Sequence, residues 1–253
     1  MFGPNAGGSG KAMMGGYVPH PKSISTPFEG LVAALPASTV KLVPGCNTTK
    51  CASYDKAAVA EVLSSGCDVS IAVMGLTAYA NPGSHLPPMT QEPGNACGCV
   101  VGDGVEGECC DRQDVALPGA QLQMLQQIAA ASLLQHKPCI LVSINAGMVD
   151  LSWPKTAASV GAIINAPYLG QTAGAALAAT LLGANNPAGE LQITACLART
   201  MHDALPVPAE SRCVYVCCSE RLLLSTHPSS RCLCAADACR SIAHHVVHIT
   251  VAH

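Results

Sequence analysis

Charge is scarce in this chain. Only 11% of its 253 residues are charged, the formal net charge is −3, and the basic residues form no stripe. That balance argues against nucleic acid and against an acidic membrane surface as partners. No apolar run approaches the roughly 20 residues of a membrane-spanning helix. The first residues also lack a charged start followed by a hydrophobic run, so no signal peptide is visible. The chain opens abruptly in what reads as a strand-to-loop junction. A fragment or an incomplete gene model is therefore expected, and a leader would then lie upstream.

The opening stretch FGPNAGGSGKAMMGGY invites two motifs and supplies neither. A phosphate-cradling loop needs G-x-x-x-x-G-K-[ST], so that backbone N–H groups wrap the phosphates and a hydroxyl holds the magnesium. With Gly10-Lys11 as anchor, Asn5 stands where the first glycine belongs and Ala12 where the hydroxyl belongs. A nucleophile elbow around Ser9 fails because Lys11 replaces its last glycine.

Hydrophobic residues make up 49% of the chain, enough for one sizeable α/β domain, or one domain and a tail. Thr26-Pro27-Phe28-Glu29 spells a helix start, with Thr as cap, Pro at the first turn and Glu three residues on. That helix should reach about Leu35. Further helices are predicted from Asp55 to Leu63, from Pro118 to about Leu134, and from Gly170 to Leu182. Strands are predicted at Val40–Val43, Val69–Met74, Cys139–Ile144 and Ala162–Asn165. Helices alternating with wholly apolar strands predict a three-layer α/β/α sandwich around a mostly parallel sheet, its first strand truncated at Met1. Such sheets bind ligands beyond the carboxyl ends of their strands, which places the loops after Met74 and Ile144 on the functional edge.

Two regions stand apart. Residues 77–105 carry no period and are rich in Pro, Gly and Cys, as an inserted loop would be. Residues 198–253 mix Cys, Ser, His and Arg without a sustained pattern, so the domain is expected to occupy 1–197 and the rest to be a divergent, disordered tail. Fifteen cysteines exceed what a reducing compartment usually tolerates, and an odd number leaves at least one thiol over. In the tail, Cys213, Cys217, Cys232 and Cys234, with His244, His245 and His248, lack the paired C-x2-C spacing of zinc ribbons and fingers. No metal or cofactor is expected.

In order along the chain come Gly3-Pro4-Asn5-Ala6, Gly15-Gly16-Tyr17, Thr26 to Leu31, Pro44-Gly45-Cys46 and Val73-Met74-Gly75-Leu76. Glu106-Gly107-Glu108 with Asp111-Arg112, then Leu117-Pro118-Gly119, Pro167 to Gln171 with Gly174, and Asn186 to Leu191 complete the set. Together these resemble the C-terminal domain of glycoside hydrolase family 3, especially plant-type β-xylosidases. The resemblance covers residues 2–194, and it implies a retaining glycosidase acting on β-linked xylosides or glucosides, placed outside the cell or in the secretory pathway.

Retaining chemistry needs a carboxylate nucleophile and a second carboxyl, about 5–5.5 Å away, serving first as acid and then as base. The resemblance puts the nucleophile in a barrel domain absent from these residues and the acid/base in the acidic loop. Glu106 is the acid/base candidate and Glu108 the second. The bare residues show five carboxylates within 103–114, which a solvated acidic loop would show equally. Tyr17, Asp111 and Arg112 are carried as substrate-side candidates. The plainer roles are half-buried packing for Tyr17 and an ion pair holding the loop for Asp111 and Arg112. Trp153 is either a sugar platform or a packing residue. Cys46 and Cys51 resemble a paired cysteine of plant-type members, which implies a disulfide. Two other functions stay open: a carbohydrate-binding or interaction module of the same fold, and a flavodoxin-like cofactor-binding domain.

Overall fold

A computed structural model describes residues 1–15, 21–78, 105–106, 112 and 114–187, and the backbone of 246–248. Five helices and four strands make up its α/β architecture: α1 Pro27–Ala34, α2 Lys56–Ser64, β1 Ser70–Gly75, α3 Gln121–Leu134, β2 Cys139–Ile144, α4 Ser152–Thr156, β3 Ala162–Ala166, α5 Ala173–Leu181 and β4 Val246–His248. All strands run parallel in the order β1-β2-β3-β4.

The sheet extends past β1. Phe2 bridges in parallel to both Ala72 and Val43, so Met1–Gly3 lies between β1 and the 41–43 segment. The Phe2 N–H donates to Ile71 O at 2.8 Å, and Val43 N–H donates to Met1 O at 3.0 Å. Of the strand predicted at Val40–Val43, only Val43 reaches a ladder position. The segment from 198 onward contributes β4 beside β3, with Val246 opposite Ile163.

Two apolar layers sandwich the sheet. One face, with Ala72, Met74, Leu141 and Ile163, packs against Val59 and Leu63 of α2 and Leu125 and Ile128 of α3. The other, with Ile71, Val73, Ile144 and Ile164, packs against Leu31 of α1 and Leu177 of α5. Strands buried on both faces read as continuous apolar runs because neither side faces water.

Local signals set the helix starts. The Thr26 hydroxyl accepts from Glu29 N–H while the Glu29 carboxylate accepts from Thr26 N–H, closing the capping box. Asp55 caps α2 through Ala57 and Ala58 N–H. The third helix starts at Gln121, three residues after its predicted start, because Pro118-Gly119 forms a turn in which Gln121 N–H returns to Pro118 O. Gly170–Thr172 is a 3₁₀ turn, so α5 also starts late. A disulfide joins Cys46 and Cys51 beneath α3.

Candidate functional site

The carboxyl ends of β1, β2 and β3 open on one edge of the sheet, and a glutamate connects all three. Glu106 follows the excursion that leaves β1. Its Oε1 accepts from Ala146 N–H at 3.1 Å and Gly147 N–H at 3.3 Å, both in the turn after β2. The Tyr168 hydroxyl, two residues past β3, also donates to Oε1. Among the described residues, Oε2 accepts one bond, a share of the Gly147 N–H at 3.1 Å. Such charge-assisted bonds are about twice as strong as neutral ones.

Glycine at 147 gives the Glu106 carboxylate its clearance. A Cβ there would collide with Glu106 Oε2. Behind the carboxylate, Val105 N–H and Glu106 N–H reach Thr77 O at 2.8 and 3.4 Å, so the far end of the excursion is bonded to its near end. Tyr168 is half-buried, and its phenol is held well above the ordinary tyrosine range. Burial is the largest cause, followed by the hydrogen bond to Glu106 and that residue's charge; Arg112 and the backbone hydrogen bond of Ala78 oppose the shift.

Among the described residues, Arg112 bonds to backbone carbonyls. Its Nη1 donates to Met148 O at 2.6 Å and its Nη2 to Ala116 O, which ties the turn after β2 to the start of the segment leading into α3. Glu108, Asp111 and Tyr17 lie outside the described residues. Trp153 stands on α4 and packs half-buried against the cluster under α3.

Gln121 and Asn145 match polar groups behind the edge. The Gln121 amide accepts from Gly75 N–H at 2.8 Å and donates to Gly75 O and Thr49 O at 2.9 and 2.6 Å, so fully buried Gln121 stitches the end of β1 to α3. Asn145 donates to Asn165 Oδ1 at 2.7 Å and Ser143 Oγ at 2.9 Å. Sequence reasoning did not single out Tyr168, Gly147 or Gln121 as partners of the site. Tyr168 had one visible signal, since it stands just beyond an apolar strand at the edge where such sheets bind ligands.

Residues 1–215 match the family described as glycosyl hydrolase family 3 C-terminal domain. Over 194 residues the chain is 30% identical to a β-xylosidase/α-L-arabinofuranosidase 1 of Medicago sativa subsp. varia, covering 77% of this chain and 21% of that protein. It is 29% identical to β-D-xylosidase 1 of Arabidopsis thaliana over 194 residues, with the same two shares, 77% and 21%. The chain thus spans about a fifth of the length of these curated relatives. Among solved structures, a GH3 exo-β-xylosidase (XlnD) in complex with a xylobiose aziridine activity-based probe superposes with a TM-score of 0.59 at 23% identity. That match covers 79% of this chain and 22% of that one, and it attests the fold.

Proposed function

Because the chain belongs to glycoside hydrolase family 3, whose C-terminal domain residues 1–215 match, we propose that it serves a retaining β-glycosidase of the β-xylosidase or β-glucosidase kind. In this reading it supplies the acid/base carboxyl, Glu106, and one wall of the sugar pocket. The nucleophile comes from a barrel domain outside these 253 residues. The substrate is a terminal β-linked xyloside or glucoside, and the Cys46–Cys51 disulfide supports work in an oxidising, secretory setting.

The observation that carries the reading is the unequal loading of the Glu106 carboxyl. Among the described residues, Oε1 takes three donors and Oε2 only a shared one. A general acid must present an O–H to the leaving oxygen and later withdraw a proton from water. Oε1 anchors the group, so Oε2 is the oxygen left to carry that proton. Gly147, having no Cβ, leaves that side unobstructed. A second reading has Glu106 as anchor only, with Glu108 as the acid. It is favoured by the fact that both Glu106 oxygens already accept protein N–H groups.

The test uses this chain joined to a family barrel domain. Glu106→Gln should slow substrates with poor leaving groups by about 10²–10⁴-fold, and activated aryl glycosides much less. Added azide should partly restore turnover by replacing the water that needs a base. Azide rescue of Glu108→Gln alone moves the assignment two residues along. Wild-type rates for both variants would leave the domain without the acid/base role. The 253-residue chain alone should not turn over aryl β-xylosides, since without a nucleophile no covalent intermediate forms.

A further inference from the structure

The Tyr168 hydroxyl gives its proton to Glu106 Oε1. That oxygen also accepts from Ala146 and Gly147 N–H, so bonds from the turn after β2 and from beyond β3 converge on it. Glu106 stands at the far foot of the excursion after β1, which the Thr77 carbonyl ties to the near foot. The ring packs against the core beneath α1 and α5, a task phenylalanine would do as well.

We propose that Tyr168 is a positioning residue for Glu106: its hydroxyl holds the far foot of the excursion and fixes which carboxyl oxygen is anchored and which faces substrate. The placement of Glu106 is then set by β3 and the turn after β2, whatever the intervening residues do. This proposal rests on the acid/base reading of Glu106, and it adds that the reaction depends on a hydroxyl that need not touch the sugar.

Two measurements test it. In the 253-residue chain, phenolate absorbance is followed through an alkaline titration. One of the five tyrosines should ionise far later than the others; Tyr168→Phe should remove that late component, and Glu106→Gln should move it to lower pH. If no tyrosine lags in the folded chain, or if Glu106→Gln leaves the lagging one in place, the contact is absent and the proposal is overturned. In the barrel-joined protein, Tyr168→Phe should lower kcat on poor leaving groups by about 10- to 100-fold, the range for a hydrogen bond to a charged group. KM should stay nearly constant, and activated aryl glycosides should lose less. Wild-type kcat for Tyr168→Phe beside a slowed Glu106→Gln overturns the positioning role and leaves the acid/base reading standing. Equal losses on both substrate types overturn it too, since a packing defect does not select by leaving group. If Glu106→Gln itself is not slowed, the acid/base reading fails first and this proposal fails with it.

Discussion

At the scale of single residues, the contact between Gly147 and Glu106 combines attraction with tight clearance. The Gly147 N–H bonds both carboxyl oxygens, yet the Cα leaves no room for a methyl beside Oε2. Gly147→Ala should therefore destabilise by about 1–3 kcal/mol, the range for a forced overpacking. The same change in a Glu106→Ala background should cost far less, because the colliding atom is gone. Urea midpoints for the two single variants and the double give the coupling directly. Strictly additive costs would mean that these side groups do not meet. The Arg112 guanidinium offers a contrast, because its partners are the carbonyls of Met148 and Ala116. The ion pair expected with Asp111 lies outside the described residues, and nothing near Arg112 in sequence signals two carbonyls brought in by folding.

Among elements, α1 and α5 meet glycine to glycine. A Cβ on Gly30 would collide with the backbone of Gly174, and one on Gly174 with the carbonyl of Thr26. Alanine in place of glycine favours an isolated helix by ~1 kcal/mol. Here the helices would have to separate, at roughly 1–3 kcal/mol. Gly30→Ala should lower the midpoint of chemical denaturation, and a raised midpoint would sink the close-approach argument. Thr26→Ala, which opens the capping box, should cost about 1 kcal/mol. That box was legible in the sequence because all its members lie within four residues, and β2 was legible to its last residue because its largely apolar run ends at Ile144. The five-residue α4 was not, since its N-cap position is Leu151, which makes no side-chain cap, and it is too short to show a period. Least legible was the pairing of Tyr168 with Glu106, 62 residues apart in sequence. The family motifs singled out Glu106; only the meeting of three strand ends supplies its partners.

For the molecule as a whole, buried acids make alkaline stability the property to measure. Burial pushes the Cys139 thiol up to about 12, against an unfolded value near 8.5. The unfolded chain releases this proton as pH rises past its own value while the folded chain keeps it. Stability is thus full below about pH 8 and falls from there towards pH 12, by at most ~1.4 kcal/mol per pH unit for this group. The raised Tyr168 phenol acts with the same sign at higher pH. Denaturation midpoints at pH 7, 9 and 10 should fall less steeply for Cys139→Ala than for wild type, whatever its starting stability. Parallel profiles would remove the thiol from the account. The interleaved sheet bears on synthesis as well. Phe2, 2% exposed in the finished fold, is roofed by Val43 on one side and Ala72 on the other. On a translating ribosome its second neighbour emerges about 70 residues later, a wait of roughly 4–14 s at ordinary elongation rates. During that interval the nascent chain offers an uncovered aromatic side chain and an unpaired backbone edge, the kind of surface on which holding chaperones act before β1 arrives to close it.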